Sequence, residues 1–452
     1  MHSDSQGSLP DMSSYNFVDL FSGCGGLSLG LSLAGLSGRF AIERDPMAFG
    51  TFAANFLSGE GPCEDFLWPN WLEKKAWDIE ELLATHSGEL TSLRGKVDLL
   101  AGGPPCQGFS FAGRRQEEDP RNLLFEKYVK VVQAIRPRVL VLENVPGMKV
   151  MHRRRNVVEL VPRAEQPARQ SFFDRLVESL DKAGYVVEGN LIDAACFGVP
   201  QRRNRLIVIG VRKDLLRWID GGVERAFDLL KVAGRAQVAE LRLKLPVTAE
   251  EAISDLELGR TSLVSCKDPE SPRHFLEGAY LAPRTRFQRL MHKDAPVTMN
   301  SMRLARHRDD VRDRFGKIIS ECRKGVRMND ASRKSFGLKK HRIYPMAAGE
   351  AAPTITTLPD DILHYAEPRI LTVRECARLQ SFPDWFRFTG KFTTGGSRRT
   401  KECPRYTQVG NAVPPYLARG LGIAIRAFLD EISERKLEFE CAGIKMSRAA
   451  IV

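Results

Sequence analysis

The sequence has no Cys-x-x-Cys pair, and its nine cysteines are an odd number scattered from Cys24 to Cys441. A disulfide framework uses paired cysteines at regular spacing, and a structural zinc site uses clustered thiols, so the pattern argues against both. No apolar run approaches the roughly 18 to 20 residues that span a bilayer. The opening Met1-His2-Ser3-Asp4-Ser5 lacks the basic and then apolar layout of a secretory leader. These absences point to an intracellular, cytoplasmic protein with no membrane partner. Internal repeats and long low-complexity segments are missing too. Hydrophobic residues are 43% and charged residues 27% of 452, which excludes disorder over most of the chain.

Acidic residues are the other shortage. Lys and Arg total 68 against 56 Asp and Glu, a net charge of +12. Leu281 to Arg342 alone holds 18 Lys and Arg against 6 Asp and Glu, so this one stretch equals the surplus of the whole chain. Such a balance favours a polyanionic partner. Taken alone, it also fits a solvated surface.

What is present is an alternation of short apolar runs with longer amphipathic ones. After a polar, flexible tail over residues 1–14, Phe17-Val18-Asp19-Leu20-Phe21 runs into the glycine turn Ser22-Gly23-Cys24-Gly25-Gly26. Phe40-Ala41-Ile42 reads as a second strand. Val97 to Ala101 stops at Gly102-Gly103-Pro104-Pro105, Val139 to Leu142 stops at Glu143-Asn144, and Leu206 to Gly210 is a further strand. Leu123 to Ile135 and Phe172 to Ala183 carry helical spacing between them. Near-continuous apolar strands alternating with helices predict an α/β fold with a parallel sheet covered on both faces. The pattern fades from 215 to about 350, then returns at Ile370 to Leu379 and in a last helix from Tyr416 to Leu429.

The glycine turn lets a ligand approach the backbone closely, and Glu43 ends the second strand, where a carboxylate can accept from the hydroxyls of a ribose. By itself this pair fits NAD and S-adenosylmethionine about equally, or a plain tight turn. Pro104-Pro105-Cys106-Gln107-Gly108 is more specific. Cys106 lies just past a strand end, where open α/β sheets place their ligands, although a buried inert thiol is the plainer reading. Glu143 follows at the end of the next strand, about 4.8 Å away across the sheet, so a thiol and a carboxyl could meet one small ring. Arg203 and Arg205 share a face if a strand has begun there, and otherwise are two surface arginines.

Together, these motifs resemble those of the C5-cytosine DNA methyltransferases of the prokaryotic modification type. The quoted runs are Asp-Leu-Phe-Ser-Gly-Cys-Gly-Gly, Gly-Pro-Pro-Cys-Gln-Gly-Phe-Ser, Glu-Asn-Val and Gln-Arg-Arg-Asn-Arg, all in order. Arg374 to Pro383 and Tyr406 to Pro415 are similar to the family's last two motifs. The resemblance implies a Rossmann-like S-adenosylmethionine-dependent methyltransferase sheet with a smaller, basic target-recognition domain. It implies a catalytic and cofactor-binding domain over 15–214, completed by 404–452, and a DNA-recognition domain over 215–403, with its target-recognition region at about 215–350.

The resemblance also implies roles. Cys106 attacks C6 of a flipped-out cytosine, Glu143 holds and protonates N3, Arg205 binds O2, and Arg203 binds nearby backbone or carboxylate. S-adenosylmethionine lies against Phe21, Gly23 and Gly25, with Glu43 on the ribose and Asp65 on the adenine amino group. Pro104, Leu124, Asn411 and Val413 complete the pocket, and no metal is implied. Arg284, Arg286, Arg289, Arg303, Arg306, Arg308, Lys339, Lys340 and Thr356 become candidate contacts to double-stranded DNA. A cognate restriction endonuclease acting separately is the partner implied for a monomeric, nucleoid-associated enzyme. Arg44 departs from the pattern, standing where the family often places a bulky apolar or aromatic residue. Methylation of tRNA, dehydrogenation with NAD, and DNA binding without catalysis are the competing readings.

Overall fold

A computed structural model of the chain describes residues 15–63, 66–104, 124–149, 171–338, 342–395, 398 and 401–449. The N-terminal tail, Asp65, Cys106, Lys339 and Lys340 lie outside them. The first half contains β1 (Asn16–Leu20), α1 (Gly26–Leu33), β2 (Ser37–Ile42), α2 (Pro46–Phe56), α3 (Ile79–Thr85), α4 (Ser87–Ser92) and β3 (Leu99–Gly102). It continues with α5 (Leu124–Ile135), β4 (Val139–Asn144), α6 (Phe172–Lys182), β5 (Tyr185–Asp193) and β6 (Asn204–Arg212).

These strands make one six-stranded sheet in the order β2-β1-β3-β4-β6-β5. β2, β1, β3 and β4 are parallel, while β6 runs antiparallel to both β4 and β5. The expectation of an all-parallel sheet is therefore corrected at β6. Its apolar run has the composition of a buried parallel strand, because burial on both faces sets that composition whatever the direction. Reversal has a consequence for the site: it brings the start of β6, rather than its end, beside the end of β4. Glu143 pairs in register with Ile207, and Asn144 with Leu206.

Successive residues serve opposite faces, as strand geometry requires. Leu99, Val139, Val141, Ile207 and Ile209 pack into one core with α1, while Leu100, Leu140, Leu142, Leu206 and Val208 pack into another with α5 and α6. The long last helix, α14 (Pro415–Ala449), lies on the first face. Gly30 permits its approach, since an added Cβ would sit 2.3 Å from that of Ala418.

Between β6 and α14 come α7 (Glu224–Glu240), α8 (Ala249–Ile253), β7 (Leu263–Ser265), β8 (Leu276–Gly278), α9 (Arg286–His292), α10 (Asp309–Glu321) and α11 (Asp330–Ser335). β9 (Tyr344–Pro345), β10 (Ile362–Leu363), α12 (Val373–Leu379) and α13 (Arg405–Asn411) follow. Phe227, Leu230 and Ala233 of α7 belong to the same core as Leu421 and Ile425 of α14. No described helix is long and apolar enough to cross a membrane.

The late motifs fasten this region through buried arginines. Arg378 is fully buried and binds Asp384 through Nε at 2.7 Å and Asp255 through Nη1 at 2.9 Å. Arg374 donates to the carbonyls of Asn300, Pro383 and Phe386. Arg405 pairs with Asp268 and Glu270. Removing one partner from such a group leaves buried charge unpaired. Arg378→Ala should therefore cost about 3 to 5 kcal/mol of stability, read as a lower urea midpoint. A midpoint shifted by less than a typical surface substitution would mean water replaces the guanidinium.

Candidate active site

The carboxyl ends of β1, β3 and β4 and the start of β6 open into one cleft of about 1220 Å³. Open α/β sheets place their ligands at this edge, where the strand order reverses. Phe21, Gly23, Glu43, Pro104, Leu124, Glu143, Arg203, Arg205, Asn411 and Val413 all line it. Residues from both ends of the chain thus meet in a single space.

At one end, Phe21 takes a positive φ of 61° and Gly23 one of 57°, which turns the chain sharply after β1. A Cβ at Gly23 would meet nothing within 4 Å, so the space before it is open. Glu43 latches this turn. Its Oε2 accepts from the Gly23 N–H at 3.0 Å and its Oε1 from the Asp45 N–H at 2.8 Å. Burial pushes its carboxyl above the ordinary range, and the two amides oppose that shift. Gly25 lies outside the cleft lining: an added Cβ would strike the Phe56 ring at 2.5 Å, so packing against α2 accounts for that glycine.

Asp19 also lines the cleft and is fully buried. Its Oδ2 accepts from Ser28 Oγ at 2.6 Å, but its Oδ1 has no partner. Burial raises its pKa to about 7. Between the ordinary carboxylate pKa, near 4, and about 7 the folded state holds a proton that the unfolded chain has lost. Stability from this group is therefore full below that window and falls as pH rises through it. In the ligand-free protein, Asp19→Asn should flatten the decline in melting temperature between pH 5 and 8. An identical pH profile in the variant would assign the decline to other groups.

At the other end, Arg205 Nε meets Glu143 Oε1 at 2.7 Å, with both side chains largely buried. Asn144 Nδ2 donates to the Pro104 carbonyl at 3.0 Å, which draws the Gly103-Pro104 segment against the end of β4. A Cβ at Gly103 would lie 3.7 Å from Glu143 Oε2. Cys106 itself falls outside the described residues, two positions beyond Pro104.

Arg203 faces the cleft differently from Arg205. It is buried, and its guanidinium donates to the carbonyls of Ile355 at 3.1 Å, Gly410 at 2.9 Å and Ala412 at 3.0 Å. It clamps the β6 entry to the segment before α12 and to α13. Burial lowers its pKa well below the ordinary value, with Arg205 adding to the shift and Glu143 opposing it.

Several lining residues escape the sequence reading. Trp77, Asp78 and Ile79 form part of the wall near Glu43, and Asp78 caps α3 by accepting from the Glu80 N–H at 2.8 Å. The signal available was the cap pattern Asp-x-x-Glu before an apolar run. His307, Leu358 and Lys401 also line the cleft and belong to no motif, whereas Arg44, the departure from the family pattern noted in the sequence, lines it beside Glu43.

The remaining candidate cations have mixed settings. Arg284, Arg289, Arg306 and Arg308 are exposed, and Arg308 meets Asp310 at 3.1 Å. Arg286 Nε donates to the Leu241 carbonyl at the end of α7, at 3.0 Å. Arg303 is sandwiched between the rings of Phe275 and Phe392, at 4.2 and 3.8 Å from their centroids. Thr356 Oγ1 donates to Asp361 Oδ2 at 2.8 Å and lies outside the cleft lining. Among the described residues, no group of three or more His, Cys, Asp and Glu could hold a metal ion.

A cleft at the carboxyl edge of a mixed, mainly parallel sheet, with a carboxylate–guanidinium pair at one end, places the chain in the Rossmann-like α/β class. The sequence comparisons make this specific. The profile of the C-5 cytosine-specific DNA methylases matches residues 15–427. The type II methyltransferase M.DdeI of Desulfomicrobium norvegicum is 32% identical, over 92% of this chain and 90% of its own length. M.XorII of Xanthomonas oryzae pv. oryzae, also a type II methyltransferase, is 30% identical over 96% and 91%. A solved structure from an E. coli prophage shares the fold, with a TM-score of 0.62 at 24% identity over 92% of this chain and 100% of its own. The chain belongs to the C-5 cytosine-specific DNA methylases and is a DNA (cytosine-5-)-methyltransferase.

Proposed function

We propose that this enzyme methylates C5 of a flipped-out cytosine in a specific duplex DNA sequence, using S-adenosylmethionine and a covalent bond from Cys106. The observation that carries the reading is the single cleft, with Glu43 and the open face of Gly23 at one end and the Glu143–Arg205 pair at the other.

The residues present fit the cofactor. Space before Gly23, the half-buried Glu43 and the unpartnered Oδ1 of Asp19 suit a ligand carrying hydroxyls and an ammonium group. Phe21, Pro104, Leu124, Asn411 and Val413 would enclose it, with Glu43 receiving the ribose hydroxyls. Asp78 lines the wall beside Glu43 and would accept from the adenine amino group, the role the sequence reading gives to Asp65, which lies outside the described residues. S-adenosylmethionine supplies the methyl group.

The chain's own part is activation of the ring. The Cys106 thiolate adds to C6, and the electron pair moves toward C5. Glu143 holds N3 and gives it a proton as charge develops, while Arg205 steadies O2. After C5 has gained its methyl group, loss of the C5 proton expels the thiolate and restores aromaticity. Arg203 acts at one remove, by holding the segments that carry Ile355 and Gly410 against the site. The relatives named above suggest a place in a restriction–modification system, with the endonuclease acting separately.

The test is methylation of duplex DNA and of tRNA by the purified protein, with 5-methylcytosine mapped at base resolution. Methylation of one short sequence motif in duplex DNA is expected. Modification of tRNA alone, or of neither substrate, would reject the reading.

A further inference from the structure

Among the described residues three arginines line the cleft, and two of them are engaged within the protein. Arg203 donates to the carbonyls of Ile355, Gly410 and Ala412, and Arg205 meets Glu143 at 2.7 Å. Arg44 is the third. It is exposed, and no described residue forms an ion pair or hydrogen bond with its guanidinium.

The carboxylates beside it are already held by backbone amides. Glu43 has its two oxygens on the Gly23 and Asp45 N–H groups. Asp45 caps α2, its Oδ1 accepting from the Met47 and Ala48 N–H groups at 2.9 and 3.0 Å. Asp78 caps α3 through the Glu80 N–H. Arg44 is thus left as a free, planar cation on the cleft wall.

The surroundings of Arg44 suit a flat ring. The Trp77 N–H donates to the Glu43 carbonyl at 2.8 Å, which lays Trp77-Asp78-Ile79 alongside Glu43-Arg44. Ile42, Trp77 and Ile79 are buried and line the cleft, so this end has an apolar wall. Asp78 adds an acceptor at its margin. A heteroaromatic ring with two apolar faces and an amino group on its edge matches that set. A phosphate does not, because residues 43–45 and 73–81 together hold 6 Asp and Glu against 3 Lys and Arg, a field that opposes a polyanion.

Resting on the S-adenosylmethionine cofactor proposed above, we infer that Arg44 lays its guanidinium over one face of the adenine ring and sets part of the affinity for the cofactor. A guanidinium is planar, weakly hydrated and always charged, so it stacks on an aromatic face and is drawn to the π electrons there. With Glu43 on the ribose and Asp78 on the amino edge, the residue that follows Glu43 covers the ring. The contact is the same in cofactor and product and touches no reacting atom. It therefore acts on binding and leaves the chemical step alone.

The experiment measures binding of S-adenosylhomocysteine and of 5′-methylthioadenosine, which keeps the nucleoside and lacks the amino-acid end. Arg44→Ala should weaken both by the same factor, about 3- to 10-fold. The KM for S-adenosylmethionine should rise by that factor, with kcat within about two-fold of wild type. Arg44→Trp, which restores a plane, should bind both ligands about as tightly as wild type. Its added indole emission should be quenched when either binds. Duplex affinity and its salt slope should be unchanged in both variants. Unaltered affinity in Arg44→Ala, or unquenched emission in Arg44→Trp, overturns the assignment. A loss seen with S-adenosylhomocysteine alone does so too, since it would put Arg44 on the cofactor carboxylate. A salt slope shallower by about one unit in Arg44→Ala would place it on a DNA phosphate instead. Wild-type protein that binds neither nucleoside overturns the cofactor reading and this contact together.

Discussion

Cys106→Ser should abolish methyl transfer, with turnover below detection, while cofactor affinity stays within a few-fold of wild type. The reason lies in what the two groups can do. A serine hydroxyl has about the size of the thiol but stays protonated near neutral pH, so it cannot add to C6 at a useful rate. The cleft end that suits the cofactor is built from Gly23, Glu43 and Asp19, none of which touches position 106 in sequence. Loss of turnover with retained binding of S-adenosylhomocysteine, measured by calorimetry, separates a missing nucleophile from a damaged fold. Normal turnover in the serine variant would remove the covalent step.

A substrate change sharpens the same argument. In DNA carrying 5-fluorocytosine at the target, fluorine cannot leave C5 as a proton does, so elimination stalls with Cys106 still bonded to C6. A stable protein–DNA adduct should accumulate and map to the peptide containing Cys106. Eight other cysteines serve as internal controls. Cys24 and Cys376 among them are buried, with thiols that burial pushes above the ordinary range. Attachment at any of these would reassign the nucleophile.

Much of this site was legible in the sequence because chemistry of this kind needs particular residue types at strand ends. Glu143 and Glu43 could be read as the residues that stop apolar runs, and the structure brings both to one cleft. Helices α5 and α6 were legible to within a residue or two, since their spacing keeps one apolar face. β5 was not, because it is an edge strand whose outer half is exposed, and its sequence mixes Glu188, Gly189 and Asn190 with apolar residues. Strand direction was hidden too, since burial alone fixes the composition of β6. Arg374, Arg378 and Arg405 gave the opposite difficulty. Charged residues within a motif suggest contact with a ligand, yet these three are buried and partnered within the protein. The basic stretch misled in the same sense: a count along the chain cannot tell an arginine held between two rings, such as Arg303, from an exposed one such as Arg306.

Glu143→Gln should reduce turnover by roughly 10²- to 10⁴-fold, the scale of general acid catalysis, with duplex binding largely kept. The glutamine amide can still hydrogen-bond to the ring, but it cannot deliver a proton to N3 as negative charge develops there. It also removes the charge that Arg205 meets at 2.7 Å, so the guanidinium loses its ionic partner inside a largely enclosed site. That second effect predicts a lower melting temperature whether or not Glu143 takes part in the reaction. The two roles separate in the pH dependence of single-turnover rates. A proton donor leaves its own limb in the wild-type profile, and that limb should vanish in the glutamine variant. A purely structural Glu143 instead lowers stability and rate together while the shape of the profile persists. Retention of the wild-type profile, with a rate loss matched by the fraction unfolded, would therefore leave Glu143 as the anchor of Arg205 and require another donor for N3.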